Sequence, residues 1–191
     1  MKKASKKLLI CGLLSLSFSG TIIPSLETTI VYGEELTENK FVPKKLTLEQ
    51  QENLIQELKN KYPTLSDYYL RETLRRQLKG DFRPVYEKIS HGSRPFFLGI
   101  WDEQGLTVDA VGAAIDVAIG VLTGGSVSAL AHLGKHEAKN ILKQAIARVL
   151  GNKFISSGVI EFALNLASPG HAIAQWWDSQ DAYPNNGHIN F

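Results

Sequence analysis

Five histidines, with the carboxylates near them, are the residues of this chain whose types could do chemistry. His132 and His136 stand four apart, with Glu137 adjoining. On one helix face that spacing can hold a metal ion. The H-E-x-x-H order of a zinc protease is absent, however, and a pair beside Lys135 reads more readily as plain surface. His171 with Asp178 and Asp181 could form an acid–base group, yet no G-x-S-x-G motif supplies a nucleophile. There is no P-loop and no G-x-G-x-x-G after a strand. No two carboxylates are singled out as the pair that glycoside hydrolysis needs. The expectation is therefore no enzyme, no cofactor and no metal site.

What remains to carry function is an apolar stretch, residues 106–133, LTVDAVGAAIDVAIGVLTGGSVSALAHL. It contains no Lys or Arg, and its only formal charges are Asp109 and Asp116. In length it matches a bilayer-crossing helix, which needs ~20 mostly apolar residues. It is poor in Leu and Ile for a permanent anchor. A carboxylate at a helix centre costs about 2.5–3.5 kcal/mol on an insertion scale, so Asp116 opposes spontaneous insertion. Thr123-Gly124-Gly125 divides the stretch into two arms, each too short to span. Thr107 can cap the first arm, with Asp109 favourably placed in its first turn, and Ser126 can cap a second helix from Val127. Gly112, Asp116 and Gly120 recur at intervals of four, as do Ala114 and Ala118, and small residues at that spacing let helix backbones approach closely. Ordinary packing in a helical bundle would use the same pattern.

The elements around this hairpin follow from composition and periodicity. Lys2, Lys3, Lys6 and Lys7 precede an apolar run from Leu8, the layout of a secretory signal peptide, and residues 1–33 are expected to be removed. Cys11 is the only cysteine and would leave with the signal, so no disulfide is expected. The remaining 34–191 are near neutral, without the basic patch expected of a nucleic-acid binder. Residues 34–94 are expected to form an N-terminal helical region, and 95–191 an apolar C-terminal one. Thr47 to Gln50 spells a capping box, and Leu48, Gln51, Leu54, Ile55 and Leu58 follow at helical spacing up to Pro63. Ser66 starts a second helix with Tyr69 or Leu70, Leu74 and Leu78 as its stripe and Gly80 as its stop. Its outer face carries Arg71, Arg75, Arg76 and Lys79. The run 95–101, PFFLGIW, reads as an apolar linker or plug.

Beyond the hairpin, Lys135, Lys139 and Lys143 recur every four residues opposite Ile141, Leu142, Ala145, Ile146 and Val149. Such a basic amphipathic helix suits an anionic membrane surface, and a bundle surface as well. Residues 154–167 are apolar again and read as a second apolar helix. A last short helix carries Trp176 and Trp177, residue types that favour the bilayer interface. The tail has a Pro184-Asn185-Asn186-Gly187 turn, with Ile189 and Phe191 placed to dock. The fold class expected is all-α: a helical bundle around a Gly/Ala-rich hairpin. Val108, Ile115, Asp116, Ile119, Leu122, Lys135, Lys139, Lys143, Trp176 and Trp177 are the residues expected to meet a membrane.

The segments AAIDVAIGVLTGGSVSALA and LNLASPGHAIAQWWDSQDAYPNNGHINF resemble the C-terminal region of large secreted streptococcal bacteriocins of the streptococcin and dysgalacticin type. The likeness covers 106–191 and leaves 34–94 without a counterpart. It implies a non-lytic secreted protein that kills related Gram-positive bacteria by disturbing their membranes, with or without a membrane-protein receptor. It implies a separate immunity protein in the producer, and it supplies no catalytic residues. The alternative class is a secreted helical binding or adhesion module whose hairpin is ordinary core.

Overall fold

The computed structural model describes residues 45–85 and 106–190. The expected signal peptide, the arm ahead of Lys45, the 95–101 run and Phe191 lie outside the described residues. Six α-helices make up the described chain: α1 Leu48–Lys61, α2 Asp67–Leu78, α3 Val108–Thr123, α4 Lys135–Val149, α5 Ser157–Ala163 and α6 Pro169–Asp178. Two-residue strands β1 Leu106–Thr107 and β2 His188–Ile189 pair antiparallel, Leu106 opposite Ile189. The described fold is thus mainly α. Phe41–Phe191 is a compact unit and contains the whole described core.

The chain's local chemistry starts most of these helices. The Thr47 hydroxyl accepts from Gln50 N–H while the Gln50 side chain accepts from Thr47 N–H, a complete capping box at α1. Ser66 caps α2 through Tyr69 N–H, and Thr107 caps α3 through Ala110 N–H. Gly124 takes a left-handed φ of 100° and stops α3, and both Gly124 and Gly125 N–H turn back to the Gly120 carbonyl.

Helix α3 is the axis of the molecule. Every residue from 110 to 121 is buried, and α1, α2, α4 and α6 all pack on it. Its small residues mark the closest approaches. A Cβ on Gly120 would lie 2.6 Å from Leu54 Cδ1 of α1. A Cβ on Gly112 would lie 2.9 Å from His171 Cα, and one on Gly170 would lie 2.2 Å from the Gly112 carbonyl oxygen. Helices α3 and α6 therefore meet backbone to backbone, a contact that only glycine permits.

Three expectations need correcting. The second arm of the hairpin is no α-helix from Val127 but a 3-10 turn, Ser128–His132. The reason is length: Leu133 and Gly134 turn extended to start α4, which leaves only five residues for the turn. The carboxylate of Glu57 on α1 holds its start, accepting from Ser126 Oγ, Val127 N–H and Ser128 N–H at 2.9–3.0 Å. Leu48 is not part of the buried stripe: as the first residue of α1 it is 84% exposed. The apolar 154–167 run is not one helix either. It divides into a 3-10 turn ending at Phe154, the extended Ile155, and the short α5, where Ser156, Ser157 and Gly158 are weak helix formers.

Candidate functional site

The most constrained polar group of the described chain is Asp116, at the middle of α3. It is 0% exposed. Its Oδ2 accepts from the Tyr62 hydroxyl at 2.8 Å, and its Oδ1 accepts from Gly170 N–H at 2.7 Å. Tyr62 is the residue that ends α1, and Gly170 lies in the first turn of α6. Ser168 offers α6 no side-chain cap. The carboxylate of a distant helix does that work instead, at the positive end of the α6 dipole. Burial pushes the Asp116 carboxyl up to about 6, against the opposing pull of Lys61, Gly170 N–H and the Tyr62 hydroxyl. The Tyr62 phenol is raised by burial and by the Asp116 charge beside it.

Two further side chains grip α3 on the same small-residue helix. Tyr69 donates its hydroxyl to the Ala110 carbonyl at 3.0 Å, and Gln77 donates Nε2 to the Ala114 carbonyl at 2.9 Å. Both are buried and both come from α2. At the rim of this knot, Thr64 donates to Asp109 Oδ2 at 2.5 Å, and His171 Nδ1 stands 3.3 Å from Asp109 Oδ1. The His171 ring meets the Tyr62 ring edge-on at 6.1 Å. The histidine thus joins Asp109, not the Asp178 and Asp181 of the paper acid–base group. Those two carboxylates tie down the tail. Asp178 accepts from Asn186 and Gly187 N–H, and Asp181 accepts from Tyr183 and Asn190 N–H. The thread Thr64–Asp109–His171 is no nucleophile relay, because the hydroxyl and the imidazole bond the same carboxylate and not each other.

The expected membrane residues fall into three groups. Val108, Ile115, Asp116 and Ile119 are buried in α3, and Leu122 packs half-buried against the core. Lys135 and Lys139 share one acceptor on α5, Glu161, while Lys143 is half-buried and pairs with none of the described carboxylates. Trp176 and Trp177 are half-buried and pack on the core. Their rings cross edge-to-face at 4.6 Å, and Trp177 meets Phe154 at 5.0 Å. His132 and His136 are not on one helix: Leu133 and Gly134 separate the 3-10 turn from α4. No group of three metal-ligating side chains occurs among the described residues. No described helix is long and apolar enough to cross a membrane.

Sequence reasoning missed two features: the Asp116–Gly170 contact, and an exposed apolar pair on α5 and its exit, Phe162 and Leu166. No local signal pointed to the first, since Ser168 before Pro169 is itself a favoured capping residue, although its side chain makes no cap bond. Comparison with models of known protein families, with curated proteins and with solved structures finds no match.

Proposed function

We propose that the chain is a secreted, non-lytic bacteriocin that disturbs the membranes of related Gram-positive cells. One observation carries the reading: α3, an apolar helix without a basic residue, is wrapped on all sides by amphipathic helices. Such a helix can exchange a protein envelope for a lipid one, because both offer apolar surroundings. The resemblance of 106–191 to streptococcin- and dysgalacticin-type proteins supports the same reading. At 16 residues, α3 is about 24 Å long at 1.5 Å per residue, short of a ~30 Å hydrocarbon core. The proposed action is therefore a disturbance of the membrane by a rearranged helix, not a stable single-helix pore. Partners under this reading are the target-cell membrane, a receptor in it where one is needed, and a separate immunity protein in the producer.

The ties to Ala110, Ala114 and Asp116 favour a second reading. They make α3 a conventional core helix, and a helical binding module would need no more. The two separate in one experiment. Residues 34–191, which contain the whole compact unit, are added to a panel of related strains carrying a potential-sensitive dye. Loss of membrane potential without release of cell-wall fragments is expected. Binding to cells with the potential intact in every strain would leave the binding module as the function.

A further inference from the structure

We propose that the edge formed by α4, α5 and the 3-10 turn Ser128–His132 is the surface that docks first on an anionic lipid bilayer, with Phe162 and Leu166 as its apolar contacts. The inference deepens the membrane reading above and rests on it for its biological setting, but it concerns a particular face of the molecule.

Phe162 is 55% exposed and Leu166 41% exposed, four residues apart across the end of α5. Each is the chain neighbour of a residue lining an open groove of about 280 Å³: Glu161 precedes Phe162, and Asn165 precedes Leu166. Leu130, Leu133 and Leu164 form the apolar part of that groove. Its volume lies just below the usual range of small-molecule sites.

The charge beside it is mostly positive. Lys135 and Lys139 of α4 reach Glu161 on α5, and Lys143 follows four residues further along α4. Only one carboxylate, Glu161, answers them among the described residues. Glu137 lies two residues on from Lys135, about 200° round the helix, and does not share their flank. Arg148 and Lys153 are engaged elsewhere, over the rings of Phe82 and Phe154. Three ammonium groups against one carboxylate, next to exposed Phe and Leu, match a surface that is anionic at its headgroups and apolar just beneath. A protein partner would need a complementary acidic patch of fixed shape; a bilayer supplies charge and depth without one. Of the other exposed apolar side chains, Leu48 and Tyr68 lie among the paired charges Glu52, Asp67 and Arg71 on α1 and α2, where no such excess exists, and Tyr183 stands in the tail beside Asp181.

The test is flotation of residues 34–191 with phosphatidylcholine vesicles and with vesicles containing one-third phosphatidylglycerol. Binding to the anionic vesicles is expected, weakened by added salt. The double variant Phe162→Ser/Leu166→Ser should lose at least tenfold in bound fraction. Lys139→Glu/Lys143→Glu should lose a similar factor, and Leu48→Ser/Tyr68→Ser should bind as the parent does. Because all the substituted positions of the first and third variants are exposed, circular dichroism and the unfolding midpoint should match the parent for both. Equal binding by the Phe162/Leu166 variant, or an equal loss in the Leu48/Tyr68 variant, would overturn the assignment. So would absence of vesicle binding. A change of mass in solution on Phe162→Ser/Leu166→Ser would instead make the edge a self-association surface, and the proposal would fall. If this variant loses vesicle binding but the parent leaves cell potentials untouched, the docking edge stands and the bacteriocin reading fails. If the variant depolarises cells as well as the parent, the reverse holds.

Discussion

The Asp116 knot and the Lys135–Glu161 edge are both places where a carboxylate meets partners from another helix, and they differ in almost every physical respect. Asp116 is fully out of water, accepts from a phenol and a main-chain amide, and sits where two glycines let backbones touch. Glu161 stands in solvent, shared by two flexible lysines. The first carboxylate is held by partners whose positions the fold fixes, so each lost contact leaves a buried polar group unmet. The second loses little that water and salt do not replace. Charge near the axis therefore specifies how three helices meet, while charge at the edge is left available for an external surface.

The largest expected effect comes from the backbone contact itself. Gly170→Ala would put a methyl 2.2 Å from the Gly112 carbonyl oxygen and 2.7 Å from Asp116 Oδ1. Neither neighbour is a side-chain tip that can swing away without losing the knot. A loss of about 3 kcal/mol in urea unfolding is expected, the upper range of overpacking. A variant as stable as the parent would mean that α6 can shift off α3 at little cost.

Next is the pH dependence of Asp116. Its carboxyl is raised from the ordinary 3.8 to about 6 in the folded chain, so the folded state holds a proton more tightly than the unfolded one. The stabilisation from that proton is complete below about 4 and is lost as pH rises through about 6. A shift of this size corresponds to about 3 kcal/mol across the window. Asp116→Asn keeps an acceptor for Gly170 N–H and removes the charge. Urea midpoints of the variant between pH 4 and 7 should lose the downward slope that the parent contributes through this group. A slope unchanged in the variant would assign it to other residues. The same proton also removes the charge that opposes transfer of α3 to lipid, so acid steadies the folded form and cheapens insertion together.

The smallest effect is expected at the edge. Glu161→Gln should leave the thermal unfolding midpoint where it was, at low salt and at high. A clear drop at low salt would show that the Lys135 and Lys139 pairs hold α4 on α5.

Much of the frame could be read from short-range chemistry. The capping box at Thr47, the caps Ser66 and Thr107, and the Gly124 stop are each written within four residues. The small-residue side of α3 was legible as a close-approach surface, though not the helix that approaches it. What escaped lies far apart in the chain. Asp116 and Gly170 are separated by 54 residues, and Glu57 reaches Val127 across 70. Periodicity speaks of faces, not of which faces meet. That is why Ser126 looked like a helix cap when its hydroxyl in fact donates to Glu57, and why the histidine pair at 132 and 136 looked like one face. The tryptophan pair shows the same limit: residue type suggested a membrane interface, and nothing local announced that Trp177 would meet Phe154 edge-on.

The strand pair Leu106–Thr107 with His188–Ile189 sets an order in time. Val108 N–H, at the head of α3, is bonded to the Gly187 carbonyl, so the apolar helix is closed at its start by residues made only after α4, α5 and α6. The cap that Asp116 gives α6 likewise waits for residue 170. A chain growing or emerging from its N-terminus carries α3 unclasped, its buried carboxylate unpaired, until the tail arrives. Closing a loop of that length costs entropy that no local contact offsets. The molecule is thus most open during its own production, and the segment Gly187–Ile189 is what closes it.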